Sequence, residues 1–186
     1  TGASPASSMR FAGISPEIGL SETQQTLVKN GLRGQVRVQV DGQLKTGRDI
    51  ILMALLGAEE YGFGTACLIV LGCVMMRKCN LNTCPLGVTT QNPDLRKNFI
   101  GKYEYLVNYF TFLAQEVREY LAEMGYKHLN DIVGHTELIE TKHIENQKTA
   151  SLDFRRLLNK EASSCSLYHT VNQIHNLDDV LDQQII

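Results

Sequence analysis

The sequence has no excess of charge of either sign: its 186 residues hold 18 Lys and Arg against 20 Asp and Glu, for a net charge of −2 and a pI near 6.2. The basic residues are scattered rather than striped along one face. That excludes the electrostatic footprint of nucleic acid or an anionic membrane surface and leaves a small molecule or another protein as partner. Long apolar runs are missing too. The longest, Ala66 to Met76, is broken by Gly72 and falls far short of the roughly 20 residues that span a bilayer. No initiator methionine precedes Thr1-Gly2-Ala3-Ser4-Pro5, and this start has neither region of a signal peptide, so the chain is expected to begin in mid-protein. Tryptophan is absent, yet 43% of the residues are apolar and 20% charged, the balance of one ordinary globular domain or one and a half.

Cysteine is scarce and unevenly placed. Cys67, Cys73, Cys79 and Cys84 lie close together and Cys165 stands alone. A secreted disulfide framework does not look like this, so a reducing compartment is expected, with a metal or cluster on the thiols.

Ser21-Glu22-Thr23-Gln24 reads as a capping box opening a helix that runs to about Asn30 and ends at Gly31. From Gln35 to Asp41, Val36, Val38 and Val40 alternate with Arg37 and Gln39, the period of a strand. A second helix is expected from Gly47 to Leu56, then a short buried strand at Tyr61-Gly62-Phe63, then an apolar helix after Gly64-Thr65. This helix-strand-helix-strand-helix order implies parallel strands and an α/β fold. Further on, Pro93 marks a helix start, and Tyr103 to Met124 forms a long amphipathic helix stopped by Gly125. Its buried face carries Leu106, Tyr109, Phe110, Leu113, Val117 and Leu121. Past about His135 the pattern weakens into polar sequence with apolar islands at Phe154 to Leu158 and Val180 to Leu181, as in a linker leading to another domain.

Two constellations bear on chemistry. Cys73-x5-Cys79-x4-Cys84, followed by Pro85 and Gly87, puts three thiols in one loop able to wrap a cluster of iron and sulfide. Zinc is the rival, although structural zinc favours tighter Cys pairs and a fourth ligand, and the loop contains no histidine. Plain structural or redox thiols are the third reading. Cys67 is the nearest fourth thiol, but on an apolar helix a small buried thiol is the commoner outcome. The second constellation is a pair of strand-end loops, Asp41-Gly42 and Gly64-Thr65, each leading into a helix. Such loops aim backbone amides at a phosphate, and in eight-stranded α/β barrels the phosphate site follows strands seven and eight; tight turns without a ligand are the plainer reading. Lys45, Arg48 and Arg77 lie near these loops, though single basic residues are usually solvated. His128, His135, His143, His169 and His175 have no ligand spacing.

Thr1-Gly2-Ala3-Ser4-Pro5, Asn30-Gly31-Leu32-Arg33, Gln39-Val40-Asp41-Gly42, Leu44 to Asp49, Leu56 to Thr65 and above all Gly72 to Pro85 resemble the glutamate synthase family, continuously to about Leu138. The resemblance implies a fold: residues 1–138 form the C-terminal part of a (β/α)8 TIM barrel with the cysteine loop at 73–84, and 139–186 a linker and the start of a C-terminal β-helix domain. It also implies cofactors, with Cys73, Cys79 and Cys84 as ligands of a 3Fe-4S cluster and Gly2, Ala3, Ser4, Asp41, Gly42, Gly64 and Thr65 around FMN. The implied reaction condenses 2-oxoglutarate with glutamine-derived ammonia and reduces the product to glutamate. Catalytic residues and the amidotransferase nucleophile are expected upstream, so the segment alone is expected to be inactive. Electrons would come from a partner subunit, domain or ferredoxin, and Met75-Met76-Arg77 and Leu81-Asn82-Thr83 lean toward the pyridine-nucleotide-dependent forms. Gln43 departs from the pattern where the family usually has glycine, Ser15-Pro16 where it has Pro-Trp, Asn80 where histidine is common and Leu86 where valine is frequent. A non-catalytic metal- or cluster-binding module is the alternative, and a flavin barrel without a cluster the third.

Overall fold

The computed structural model describes residues 4–142, 146, 149–161, 164–172, 174 and 180–185, apart from the side chains of residues 183 and 184. Two short strands, β1 (Gln39–Asp41) and β2 (Glu60–Gly62), lie side by side in a parallel pair with Val40 opposite Tyr61. They are linked by helix α3 (Gly47–Leu55). This is one βαβ unit, and the parallel pairing expected from the element order is present. Helices α1 (Ala6–Phe11) and α2 (Pro16–Lys29) precede it, and α4 (Thr65–Val70), α5 (Pro93–Arg96), the long α6 (Tyr103–Glu123) and α7 (Asp182–Ile185) follow. Mixed helix around a small parallel sheet is compatible with the α/β class.

β1 is shorter than the expected run from Gln35. Arg33–Gln35 instead forms a 3-10 turn, and β2 offers only three partners. The alternation still holds in burial, since Val38 and Val40 are buried while Arg37 and Gln39 are exposed. The valines and Leu20, Leu44, Ile50, Met53, Leu56, Ala58 and Leu113 make one core cluster. Ile51, Ala54, Leu55, Leu121 and Ile132 make a second, on the other face of α3. Helix α3 therefore contributes to both clusters, and α6 joins each of them, through Leu113 and Leu121. At roughly 1.5–3 kcal/mol per fully buried large aliphatic side chain, these contacts dominate the local stability. The expected face of α6 is the one that turns inward: Leu113 and Leu121 are buried and the other four residues half-buried. Phe110 meets Phe63 and Tyr109 edge-on, with ring centroids 5.2 and 5.1 Å apart. Gly125, at φ 81°, ends the helix as expected.

The start of α2 requires a correction. Pro16 occupies the first turn behind Ser15, where its fixed φ favours initiation, so Ser21 and Gln24 fall inside the helix and form no capping box. Both are buried. Ser21 Oγ donates to the carbonyl of Leu157 at 2.5 Å and Gln24 Nε2 to that of Leu167 at 2.9 Å. The polar tail thus lies against α2, and its apolar island Leu157-Leu158 packs on the first core cluster.

Candidate functional site

Helix α4 ends through a C-terminal closure in which Gly72, at φ 98°, lets Cys73 N–H return to Leu68 O at 2.9 Å. The chain then makes two left-handed bends at non-glycine residues, Met75 (φ 58°) and Arg77 (φ 59°), each costing about 1–2 kcal/mol. Cys79 opens a 3-10 turn that Asn82 ends in the left-handed region. Asn82 Oδ1 accepts from Thr90 Oγ1 at 2.9 Å and Gln91 N–H at 2.7 Å, and Asn98 Nδ2 holds Pro85 O at 2.9 Å. These bonds pin the loop. Cys73, Cys79 and Cys84 consequently line one pocket, with Met75, Met76, Arg77 and Thr89 among its other walls. Cys67 stays outside that lining, on α4, where it helps to raise the Tyr109 phenol, whose upward shift comes first from burial.

None of the five cysteines is in a disulfide, and all five are half-buried. Burial pushes the Cys84 thiol up, but hydrogen bonds from the amides of Thr89, Leu86 and Val88 and the Thr89 hydroxyl outweigh it, so its pKa lies below the ordinary value. Thiolate is the form that ligates metal. Among the described residues no three His, Cys, Asp or Glu side chains stand close enough to hold a single metal ion. A tetrahedral zinc with Zn–S near 2.3 Å needs thiolates within about 4 Å of one another. A cluster spreads its ligands over several irons and so places the looser demand on three cysteines that line one pocket. The pocket encloses about 10 Å³, the space of about one water, so a bound group requires its thioether and aliphatic walls to swing outward.

The strand-end loops meet in a second cavity. Ser4, Ser8, Ser15, Asp41, Gly42, Gln43 and Thr65 line a cleft of about 720 Å³ at the C-terminal ends of β1 and β2, where parallel α/β sheets place their ligands. Gly2 and Ala3 lie outside the described residues, and Gly64 is the residue before α4. Gly62 packs so closely that a Cβ there would stand 2.9 Å from Asp41 Cβ. The start of α3 is already engaged. Asp49 Oδ2 accepts from Lys45 and Thr46 N–H at 2.9 Å each, and Thr46 Oγ1 accepts from Asp49 N–H at 3.2 Å. Glu116 Oε2, from α6, accepts from Gly47 N–H at 2.7 Å. The amides of Lys45, Thr46, Gly47 and Asp49 are therefore committed within the protein at the start of α3. Lys45 Nζ reaches Gln43, and Arg48 is exposed.

Sequence reasoning missed the most heavily bonded residue. Arg33, fully buried, donates to Gln24 Oε1 (2.5 Å), Val36 O (2.8 Å), Gly57 O (3.0 Å) and Glu59 Oε2 (2.6 Å). Glu59 Oε1 accepts from His169 N–H at 2.9 Å, and Gly34 O accepts the N–H of both Thr170 and Val171 at 2.9 Å. No periodicity announces such a residue. His128 and His135 pair with Asp131 and Glu137, while His143 and His175 lie outside the described residues.

No helix among the described residues is long and apolar enough to cross a membrane. A profile described as the conserved region in glutamate synthase matches residues 1–127. The chain is 48% identical over 184 residues to the large chain of NADPH glutamate synthase from Bacillus subtilis, covering 98% of this chain and 12% of that protein. It is 45% identical over 189 residues to the NADH glutamate synthase of Schizosaccharomyces pombe, covering 100% of this chain and 9% of that one. Against the ferredoxin-dependent glutamate synthase of Antithamnion sp. it is 47% identical over 188 residues, with 100% and 12% covered. Identity therefore does not separate the three donor types. The match spans the βαβ unit, both glycine loops and the whole cysteine loop, and on that ground the chain belongs to the glutamate synthase family.

Proposed function

We propose that this segment is the cofactor-bearing end of a glutamate synthase barrel, with residues 1–138 completing a (β/α)8 fold and the residues after 138 leading to a β-helix domain. The observation that carries the reading is the convergence of Cys73, Cys79 and Cys84, and not Cys67, on one pocket in a chain of this family. In this reading the three thiolates hold a 3Fe-4S cluster, and the hydrogen-bond donors around Cys84 favour its thiolate form. Gly42 and Gly64 amides and the buried Thr65 hydroxyl hold the phosphate of FMN, with Gly2, Ala3, Ser4 and Asp41 completing the surround. When bound, these groups supply one-electron relay and hydride delivery for reductive amination of 2-oxoglutarate by glutamine-derived ammonia. The chain's own part is to position both, to dry the sulfurs with Met75 and Met76, and to connect the two sites through α4, whose N-terminus meets the cleft and whose C-terminus meets the loop.

In this reading the wording of Met75-Met76-Arg77 and Leu81-Asn82-Thr83 leans toward a pyridine nucleotide as electron source, reached through a partner subunit or domain in a cytoplasmic or plastid setting, with ferredoxin as the alternative donor. The test is anaerobic reconstitution of the complete synthase chain, with iron and acid-labile sulfide assays and electron paramagnetic resonance. Loss of a 3Fe-type signal in Cys79→Ser and its retention in Cys67→Ser is expected. Bound zinc, or a cluster indifferent to Cys79, overturns the ligand assignment and leaves a structural metal module.

A further inference from the structure

Gln43 stands at φ 60°, the left-handed conformation that glycine adopts freely and other residues adopt at a cost. A side chain tolerated there is worth asking about, and this one connects three groups at the cleft. Its Nε2 donates to the hydroxyl of buried Thr65 at 3.3 Å, across from the first strand-end loop to the second. Its Oε1 and its own carbonyl accept from Lys45 Nζ at 3.0 and 3.1 Å. Thr65 Oγ1, serving as acceptor toward Gln43, has its own proton left to donate into the cleft. Lys45, an exposed cation on a long stem, is thereby held against Gln43, one of the residues that line the cleft.

The charge balance makes this matter. Asp41 is the one ionisable side chain among the described residues lining the cleft, and it is negative. The other polar walls are the hydroxyls of Ser4, Ser8, Ser15 and Thr65 and the Gln43 amide. An anion entering here needs a compensating positive charge, and Gln43 is what brings one.

We propose that Gln43 is a positioning residue for a phosphate monoester, clamping the two loops through Thr65 and holding Lys45 at the cleft so that a phosphorylated ligand is preferred over its dephosphorylated form. This rests on the flavin reading above. The variant Gln43→Gly keeps the left-handed backbone, and so the fold, while removing the clamp; Gln43→Glu keeps the length but replaces the donor with a second negative charge. FMN and riboflavin are titrated against the apo form of the complete synthase chain at two salt concentrations. Gln43→Gly is expected to weaken FMN by about threefold to tenfold, the range of one or two lost hydrogen bonds, and to leave riboflavin unchanged. Gln43→Glu is expected to weaken FMN further. Lys45→Met is expected to flatten the salt dependence and to add nothing to Gln43→Gly in the double variant. Equal losses for both ligands, unchanged FMN binding, or additive effects of Gln43 and Lys45 overturn the positioning role while the flavin reading stands. Wild type binding FMN no better than riboflavin overturns both.

Discussion

Replacing Arg33 with methionine should uncouple the tail from the βαβ unit. The guanidinium is fully buried and makes four hydrogen bonds, one of them in a 2.6 Å pair with Glu59. Among the described residues, removing it leaves a nearly buried carboxylate holding only the His169 N–H, together with an undonated Gln24 carbonyl and two backbone carbonyls. Breaking one side of a buried pair costs about 3–5 kcal/mol. The amides of Thr170 and Val171, bonded to Gly34 O one residue from Arg33, report that loss directly. Native-state hydrogen exchange measured on the complete chain suits the question, since a multidomain protein has no single unfolding free energy. Protection at these two amides should fall by about 100- to 4,000-fold, the same 3–5 kcal/mol at about 1.4 kcal/mol per tenfold. The double variant Arg33→Met with Glu59→Leu should recover most of it, because apolar replacement of both partners is often neutral or better. Unchanged exchange in the single variant, or a double variant as labile as the single, refutes the reasoning.

Three other outcomes follow from local geometry. Thr46→Ala removes the hydroxyl of the α3 capping box and should cost about 1 kcal/mol, read as faster exchange in the first turn of α3. Asn82→Ala keeps the strained left-handed φ but loses the bonds to Thr90 and Gln91, so proteolysis within 73–91 should accelerate more than in Asn82→Gly. Glu137 is held near pKa 2 because, although burial raises it, hydrogen bonds from Lys160 and His135 lower it more. A depressed carboxylate stabilises above its ordinary pKa of 4.5 and loses that contribution as pH falls toward 2, so tail protection should decline over that window in wild type and not in Glu137→Gln.

The elements that sequence gave away are those with their own periodicity or punctuation. Pro93, Gly125 and the apolar stripe of α6 are local signals, and so is the valine alternation that buries Val38 and Val40. The capping motif at Ser21 misled because the same residue types also serve as buried hydrogen-bonding groups. Which role wins depended on Leu157 and Leu167, more than a hundred residues away. Arg33 and Glu116 were illegible for the same reason. In the site, three thiols in a short loop had to share a neighbourhood, whereas the separation of Cys67 from them and the positive φ of Gln43 depend on how α4 and β1 end.

The engagement of the α3 N-terminus decides between two ways a phosphate can sit in the cleft. A helix start attracts an anion through its unpaired N–H groups and its partial positive charge, and the β1–α3 loop was expected to offer both. Glu116 has taken the Gly47 N–H at 2.7 Å, and it is packed so tightly that a Cβ on Gly47 would stand 2.8 Å from Glu116 Cγ. If the helix start were the phosphate site, Glu116→Gln would remove a competing negative charge and tighten FMN by about twofold to fivefold, the scale of one charge at a helix terminus. If the donors are Gly42, Gly64 and Thr65, FMN affinity stays within error. The substitution should then appear only as weaker docking of α6 on α3, read as faster exchange at Gly47 N–H. Tighter FMN binding would move the phosphate onto α3 and take Gln43 out of its path.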